Sequence, residues 1–127
     1  GFPTANINMG ETIHPALGVY AVRVGLADKG GTRWLDGVAN LGQRPTFGGG
    51  DVVLEAHLLD FEGDLYGKRL RVAFITFLRP EMRFDGLDAL TSQIAADRDK
   101  ASALLADRAR APGWFANDNL PPVINNR

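Results

Sequence analysis

The stretch of the chain that decides its fold class is residues 52–61, Val-Val-Leu-Glu-Ala-His-Leu-Leu-Asp-Phe. It is rich in β-branched and apolar residues, which predicts a strand. Residues 19–26, 34–41 and 70–78 have the same character, and turn clusters rich in Gly and Asp separate the runs. Strands joined by short turns predict a small antiparallel barrel or sandwich. The pattern alone does not distinguish a barrel from an open sheet.

The strand predicted at 70–78 is apolar on both of its faces. Val72, Phe74 and Leu78 alternate with Ala73, Ile75 and Phe77. Since successive side chains of a strand point to opposite faces, both faces of this strand are expected to be covered.

The apolar period changes to that of a helix after Asp85, which is expected to cap its first turn. The helix should end near residue 108, and its apolar residues are Leu87, Leu90, Ile94, Ala101, Leu104 and Leu105. Residues 110–127, rich in Pro and Asn, predict an irregular tail in which Trp114 and Phe115 are able to dock. The predicted class is therefore all-β with one appended helix, formed by residues 1–109 and followed by the tail.

Composition excludes several classes of function. The 127 residues suit one domain, and a formal net charge of −1 does not indicate a nucleic-acid partner. The absence of cysteine excludes disulfides and thiolate metal sites. No apolar run reaches the roughly 18 residues of a membrane-spanning helix, so a cytoplasmic protein is expected. Because the chain begins with Gly rather than Met, we expect it to be a piece of a longer polypeptide.

Glu55 is the most unusual residue in the chain, because it interrupts an apolar strand. A carboxylate there is unfavourable unless it is paired or hydrogen-bonded. By alternation His57 shares its face. From the pattern alone a solvent-facing position or a structural ion pair is the commoner explanation, and a catalytic carboxylate is the alternative.

Thr4 and Asn6 form a second candidate site near the start of the chain. In an extended segment the two side chains point the same way, and their neutral oxygens suit a hard cation such as Mg²⁺. Taken alone, Pro-Thr-Ala-Asn is better explained as an ordinary turn. Residues 48–50 are three glycines, but they lack the Lys-Ser/Thr of a P-loop, so a mobile loop over 42–51 is expected.

Six blocks in order along the chain resemble the riboflavin kinase family, in particular the C-terminal kinase module of bacterial bifunctional FAD synthetases. They are Gly-Phe-Pro-Thr-Ala-Asn at 1–6, Gly-Val-Tyr-Ala-Val at 18–22, Gly-Val-Ala-Asn-Leu-Gly-Gln-Arg-Pro-Thr-Phe at 37–47, Leu-Glu-Ala-His-Leu-Leu-Asp-Phe at 54–61, Gly-Asp-Leu-Tyr-Gly at 63–67 and Phe-Leu-Arg-Pro-Glu-Met-Arg-Phe at 77–84. The resemblance covers about residues 1–108 and leaves the tail out.

The resemblance implies a six-stranded antiparallel Greek-key barrel with one C-terminal helix. It implies transfer of the γ-phosphate of ATP to the ribityl 5′-hydroxyl of riboflavin, which gives FMN. Glu55 matches the catalytic carboxylate, and Thr4 and Asn6 match the residues that hold Mg²⁺ and the ATP phosphates. The remaining matches are Leu58, Asp60 and Tyr66 at the nucleotide site and Arg79, Met82 and Phe84 at a flap that contacts the flavin. Met82 stands where the family often has Lys.

The resemblance also implies that parts of the family's enzymes are missing from this chain. Family members have a strand and a Gly-Arg-containing loop before the first block, and an adenylyltransferase domain precedes the kinase module. We therefore expect this chain to lack the first barrel strand and not to make FAD alone. The alternative functions are a non-catalytic flavin-binding barrel and an assembly module of a larger enzyme, inactive as this fragment. Segments 42–51 and 79–86 are expected to close over the site.

Overall fold

The computed structural model describes residues 4–9, 14–28, 31–46, 49–63, 65, 67–106, 114–115 and 124–125, with the backbone alone at 28, 44–46, 49–50, 114–115 and 124–125. Its long strands are β1 (Thr4–Asn8), β2 (Gly18–Asp28), β3 (Gly31–Thr46), β4 (Gly49–Leu58) and β5 (Leu70–Arg79). The helix α1 (Leu87–Leu105) follows, and the tail contributes the two-residue strands β6 (Trp114–Phe115) and β7 (Ile124–Asn125).

The strands form an antiparallel sheet in the order β6-β5-β2-β3-β4-β1-β7. Strands β2, β3 and β4 are successive neighbours, whereas β5 returns to lie beside β2, which is a Greek-key arrangement. Among the residues described, no ladder joins the two outer edges, so the sheet is barrel-like but not closed. The predicted all-β Greek-key architecture with one C-terminal helix is confirmed, with five long strands instead of a closed six-stranded barrel.

The inner face of the sheet packs on itself. Every long strand contributes buried residues to one apolar cluster, including Ile7, Val22, Leu41, Leu54 and Val72. Because no residue of α1 belongs to this cluster, the sheet has to curve so that its strands cover one another. The core therefore lies inside the curved sheet.

The outer face is only partly covered by α1. Ala101 and Leu105 of the helix pack against Val19, Ala21 and Leu78. The helix contacts β2, β3 and β5. Arg23 of β2 fixes its last turn, because its guanidinium donates to the Leu105 carbonyl oxygen at 3.0 Å. Because α1 packs on these three strands, it does not cover the outer faces of β4 and β1 in the same way.

Two irregularities change which side chains of β5 face the helix. The register with β2 shifts between Val19 and Tyr20 and again between Ala21 and Val22. A bulge of this kind interrupts the alternation of faces. Val72 and Phe74 lie in the inner core, whereas Ile75 and Leu78 pack in the cluster formed with α1. The strand is covered on both faces as predicted, but the placement of Leu78 with Val72 and Phe74 was wrong.

The segment predicted as a loop over residues 42–51 is mostly hairpin. Strands β3 and β4 pair as far as Thr46 and Gly49, and Pro45 lies opposite Gly50. The pairing of β2 with β3 stops at Leu41, so β3 has β4 as its only described neighbour beyond that residue. Among the described residues Pro45 thus lies where β3 is paired on one side only, the kind of edge position at which proline is found in sheets. Residues 47 and 48 lie outside the described residues.

The helix begins one residue later than the predicted cap implies. Gly86, not Asp85, is the N-cap residue, and no side chain caps this end. Asp88 places negative charge in the first turn, where the helix dipole favours it. In the tail, the backbones of Trp114 and Phe115 pair with β5, so these two residues do dock.

Candidate active site

A cleft of about 720 Å³ opens on the outer face of the sheet beside the helix. Its floor is formed by Val19, Val38, Asn40, Glu55 and His57. One side is the segment 79–84, which begins at the last residue of β5 and which we call the flap. The other side is the N-terminal half of α1, through Leu90, Ile94 and Asp97. The cleft therefore joins residues from β2, β3, β4, the flap and the helix.

Glu55 lies at the centre of a polar row on the cleft floor. In the strand register it is opposite Asn40 of β3 on one side and Asn6 of β1 on the other. The next row of the same face contains His57 and Thr4. The structure therefore brings Thr4 and Asn6 of β1 next to Glu55, which is far from them in sequence. Thr4 and Asn6 lie beside the cleft rather than in its lining.

A hydrogen bond links the two residues of that second row. The hydroxyl oxygen of Thr4 lies 2.9 Å from Nδ1 of His57. Burial lowers the pKa of His57 below its ordinary value of 6.5, and the nearby Glu55 carboxylate opposes part of this effect. The folded protein thus favours a neutral imidazole beside Thr4.

The pKa of His57 makes the stability of the protein depend on pH. Since the folded-state pKa is lowered, the unfolded chain binds the proton more readily, and stability is lost as pH falls through 6.5 towards the folded-state pKa. In urea titrations we expect the free energy of unfolding to fall between pH 7.5 and 5.5. His57→Gln should remove part of this fall and His14→Gln should keep it. An undiminished fall in His57→Gln would contradict the assignment.

The flap is attached to the helix by an ion pair that sequence reasoning missed. Nε and Nη2 of Arg79 donate to the Asp97 carboxylate at 3.0 and 2.7 Å, and Gln93 donates to the same group at 3.0 Å. Nη1 of Arg79 donates to the carbonyl oxygen of Pro80 at 3.0 Å. The guanidinium also lies 5.9 Å from the ring centroid of Phe84. Arg79 is thus placed to position the flap.

The cleft has an apolar wall, formed by Met82 and Phe84 of the flap and Leu90 and Ile94 of the helix. Met82 is 51% exposed, Ile94 47% and Leu90 37%. The apolar spacing of the helix thus continues through Leu90 and Ile94 onto an exposed wall of the cleft. Apolar groups exposed together in a cleft are typical of a ligand site.

The residues predicted for the nucleotide site lie apart from the cleft floor. The side chain of Leu58 is buried in the inner core, on the face opposite to Glu55. Asp60 is exposed just after β4, with a backbone φ of 53°. Tyr66 lies outside the described residues. A contact between Leu58 and a ligand in the cleft would therefore use its backbone.

Asn40 is a floor residue that the sequence analysis did not single out. Its Oδ1 atom is buried and has no hydrogen-bond partner among the described residues. The signal that marked Glu55 was also present here, because Asn40 interrupts the apolar run 38–41 in the same way. Pairing the two strands in register would have placed it beside Glu55.

Two features do not occur among the described residues. Among them, no group of three His, Asp or Glu side chains is arranged to hold a metal ion. No helix in the same part of the chain has the length and apolar character that crossing a membrane requires.

Comparisons with known proteins agree with the geometry. The bifunctional riboflavin kinase/FMN adenylyltransferase of Pseudomonas fluorescens is 50% identical over 110 residues, which are 86% of this chain and 34% of that protein. The protein of the same name from Escherichia coli K12 is 49% identical over 98 residues, which are 76% of this chain and 30% of that protein. The chain therefore spans about a third of the length of these relatives.

A solved structure has a similar fold. The crystal structure titled macrolide-efflux protein, from Streptococcus pneumoniae, matches with a TM-score of 0.69 and 32% sequence identity. The match covers 80% of this chain and 33% of that one. The family model described as flavokinase, riboflavin kinase, matches residues 1–105. On this match and these identities, the chain belongs to the riboflavin kinase family.

Proposed function

We propose that this chain catalyses transfer of the γ-phosphate of ATP to the 5′-hydroxyl of riboflavin, which gives FMN and ADP. One observation carries the proposal: a single cleft combines the carboxylate of Glu55 with an apolar wall large enough for a flat ring system. Thr4 and Asn6 lie next to Glu55 on the same face of the sheet. A flavin has both a flat ring and a hydroxyl to phosphorylate, so it suits both parts.

Glu55 acts in this proposal as the general base. Its carboxylate accepts the proton of the 5′-hydroxyl while that oxygen forms a bond to the γ-phosphorus, and the bond from this phosphorus to the bridging oxygen of ADP breaks. Catalysis of phosphoryl transfer depends mainly on positioning and charge neutralisation. A strand paired on both sides holds the carboxylate more rigidly than a loop would.

The donor atoms of Thr4 and Asn6 fit a magnesium ion that is bound mainly by ATP. Both side chains supply neutral oxygens, and Mg²⁺ usually takes few protein ligands and keeps phosphate and water. The hydrogen bond to His57 fixes the orientation of the Thr4 hydroxyl. When bound, the ion neutralises charge on the β- and γ-phosphates. Leu58, Asp60 and Tyr66 remain the proposed contacts of the nucleotide.

The apolar wall is proposed to hold the isoalloxazine ring. Phe84 and Met82 of the flap would cover one side and Leu90 and Ile94 of the helix the other. A side chain of Met82 contributes apolar contact and no charge, so it supports packing rather than an ionic contact with the flavin. Arg79 would act indirectly by keeping the flap against α1.

The proposal extends to the protein of which this chain is part. Its relatives are named as bifunctional, so we propose that an FMN adenylyltransferase domain belongs to the same polypeptide. The proposed binding partners are ATP and riboflavin, with no nucleic acid or membrane. A net charge of −1 supports this, and a cytoplasmic location is proposed with it.

Ligand-induced stabilisation separates the kinase from the two alternative functions. A ligand that binds only the folded state at a hundred times its dissociation constant raises stability by about 2.7 kcal/mol. We expect riboflavin and ADP with Mg²⁺ each to raise the melting temperature, and the combination to raise it most. Stabilisation by riboflavin alone would indicate a flavin-binding barrel. An unchanged melting temperature under all conditions would indicate an assembly module.

A further inference from the structure

The amide of Asn40 is an unexplained polar group in the cleft. Its Oδ1 atom is buried without a hydrogen-bond donor among the described residues. Leaving a buried hydrogen-bond acceptor unpaired is unfavourable, so such groups are rare in folded proteins. An unpaired acceptor on the floor of a binding cleft is explained if the ligand supplies the donor.

The position of Asn40 limits which part of a ligand it can meet. Neighbouring strands lie about 4.8 Å apart, and Asn40 is one strand from Glu55. Asn40 belongs to β3, which α1 contacts, whereas Asn6 lies on the far side of Glu55. Across the sheet the order is therefore apolar wall, Asn40, Glu55, then Asn6 with Thr4.

The chemistry of the amide selects among the parts of the two substrates. The phosphates of ATP are acceptors and cannot donate to Oδ1. A flat ring against the apolar wall leaves its side chain to cross the floor towards Glu55. The hydroxyls of a polyol chain both donate and accept, so they satisfy an amide whichever of its two ends faces them.

We propose that Asn40 binds a secondary hydroxyl of the acceptor's polyol chain and so positions the primary hydroxyl at Glu55. This inference rests on the proposed kinase function and deepens it. It makes Asn40 a specificity residue: a site built to hydrogen-bond a hydroxyl discriminates against an analogue that lacks it. An acceptor with the same ring and primary hydroxyl but a plain alkyl chain would not gain this contact.

The test compares two acceptors in two proteins. The first acceptor is riboflavin, and the second carries a 5-hydroxypentyl chain in place of the ribityl chain, which removes every secondary hydroxyl. With riboflavin, Asn40→Ala should lower kcat/KM by about 10- to 100-fold, the effect of losing one well-placed hydrogen bond. With the hydroxypentyl analogue, the same variant should match the original protein within about twofold.

Three controls separate this role from a structural one. Thr76 has the other buried oxygen without a partner among the described residues, and it does not line the cleft. Thr76→Val should therefore leave unchanged the ratio of the kcat/KM values for riboflavin and for the hydroxypentyl analogue. Because Asn40 Oδ1 makes no hydrogen bond in the described structure, Asn40→Ala should not lower the melting temperature of the ligand-free protein. Asn40→Asp keeps an oxygen that accepts a hydrogen bond, so this variant should still discriminate between riboflavin and the hydroxypentyl analogue.

The outcomes are distinct. An equal loss with both acceptors, or no loss with riboflavin, would overturn the role of Asn40. If the original protein phosphorylates neither acceptor, the proposed function fails instead. In that case, quenching of flavin fluorescence still tests the contact between Asn40 and the polyol chain, because it measures binding without turnover. Asn40→Ala should weaken binding of riboflavin and leave binding of the analogue unchanged. Equal weakening of both would again overturn it.

Discussion

Replacing Glu55 with glutamine is expected to lower kcat for riboflavin phosphorylation by about a thousandfold. General-base catalysis contributes roughly 10² to 10⁴ to rates of this kind. Glutamine has nearly the same shape and can still accept a hydrogen bond through its carbonyl oxygen, but it does not take up the proton of the attacking hydroxyl. The KM for riboflavin should change little, because the lost interaction acts mainly in the transition state.

Glu81 provides a matched control for the loss of one negative charge. It also lines the cleft, but it belongs to the flap and is exposed. Glu81→Gln should keep kcat within about fivefold of the original value. Steady-state rates for the two variants, measured on protein with an unchanged melting temperature, make the comparison. A near-normal kcat in Glu55→Gln would show that Glu55 is not the base.

Of the substitutions proposed for this protein, Asp97→Asn is expected to lower the free energy of unfolding the most. Its side chain is 9% exposed and that of Arg79 is 18% exposed, so their ion pair is mostly shielded from water. Removing one partner of a buried pair leaves the other charge uncompensated, at a cost of about 3 kcal/mol or more. Allowing for the partial exposure of Arg79, Asp97→Asn should lower the free energy of unfolding by about 2 to 3 kcal/mol. Urea titration at pH 7.5 measures this change.

An exposed pair on the same helix gives the control. Arg98 and Asp99 lie 3.5 Å apart with side chains 45% and 75% exposed. Pairs of this kind contribute little, so Asp99→Asn should leave the stability nearly unchanged. Because Arg79 fixes the flap against α1, Asp97→Asn should also raise the KM for riboflavin more than it lowers kcat. If Asp97→Asn and Asp99→Asn lower the free energy of unfolding equally, the Arg79–Asp97 pair stabilises the protein no more than the exposed pair does.

The sequence was informative wherever a property is local or repeats along one strand. The apolar strands, the helix near 87–105 and the shared face of Glu55 and His57 follow from side-chain periods. The meeting of Thr4, Asn6 and Glu55 does not, since it depends on β1 lying beside β4. The expectation that these residues form one site came from resemblance to a family, not from the pattern.

Other features could not be predicted because they depend on the pairing of distant segments. The hairpin around Pro45 looked like a loop, since nothing local shows that β4 is the only described neighbour of β3 there. The shifts in register that turn Leu78 towards the helix are equally invisible to alternation. The sequence pattern does not show that the N-terminal half of α1 is exposed, because a wall of a ligand cleft has the same apolar spacing as a buried face.

The most direct test of the account is turnover of the chain itself with riboflavin, ATP and Mg²⁺, followed by chromatography of the flavins. We expect FMN and ADP to form in equal amounts and the reaction to stop when Mg²⁺ is omitted. Binding of riboflavin without formation of FMN at any concentration of ATP and Mg²⁺ would contradict it.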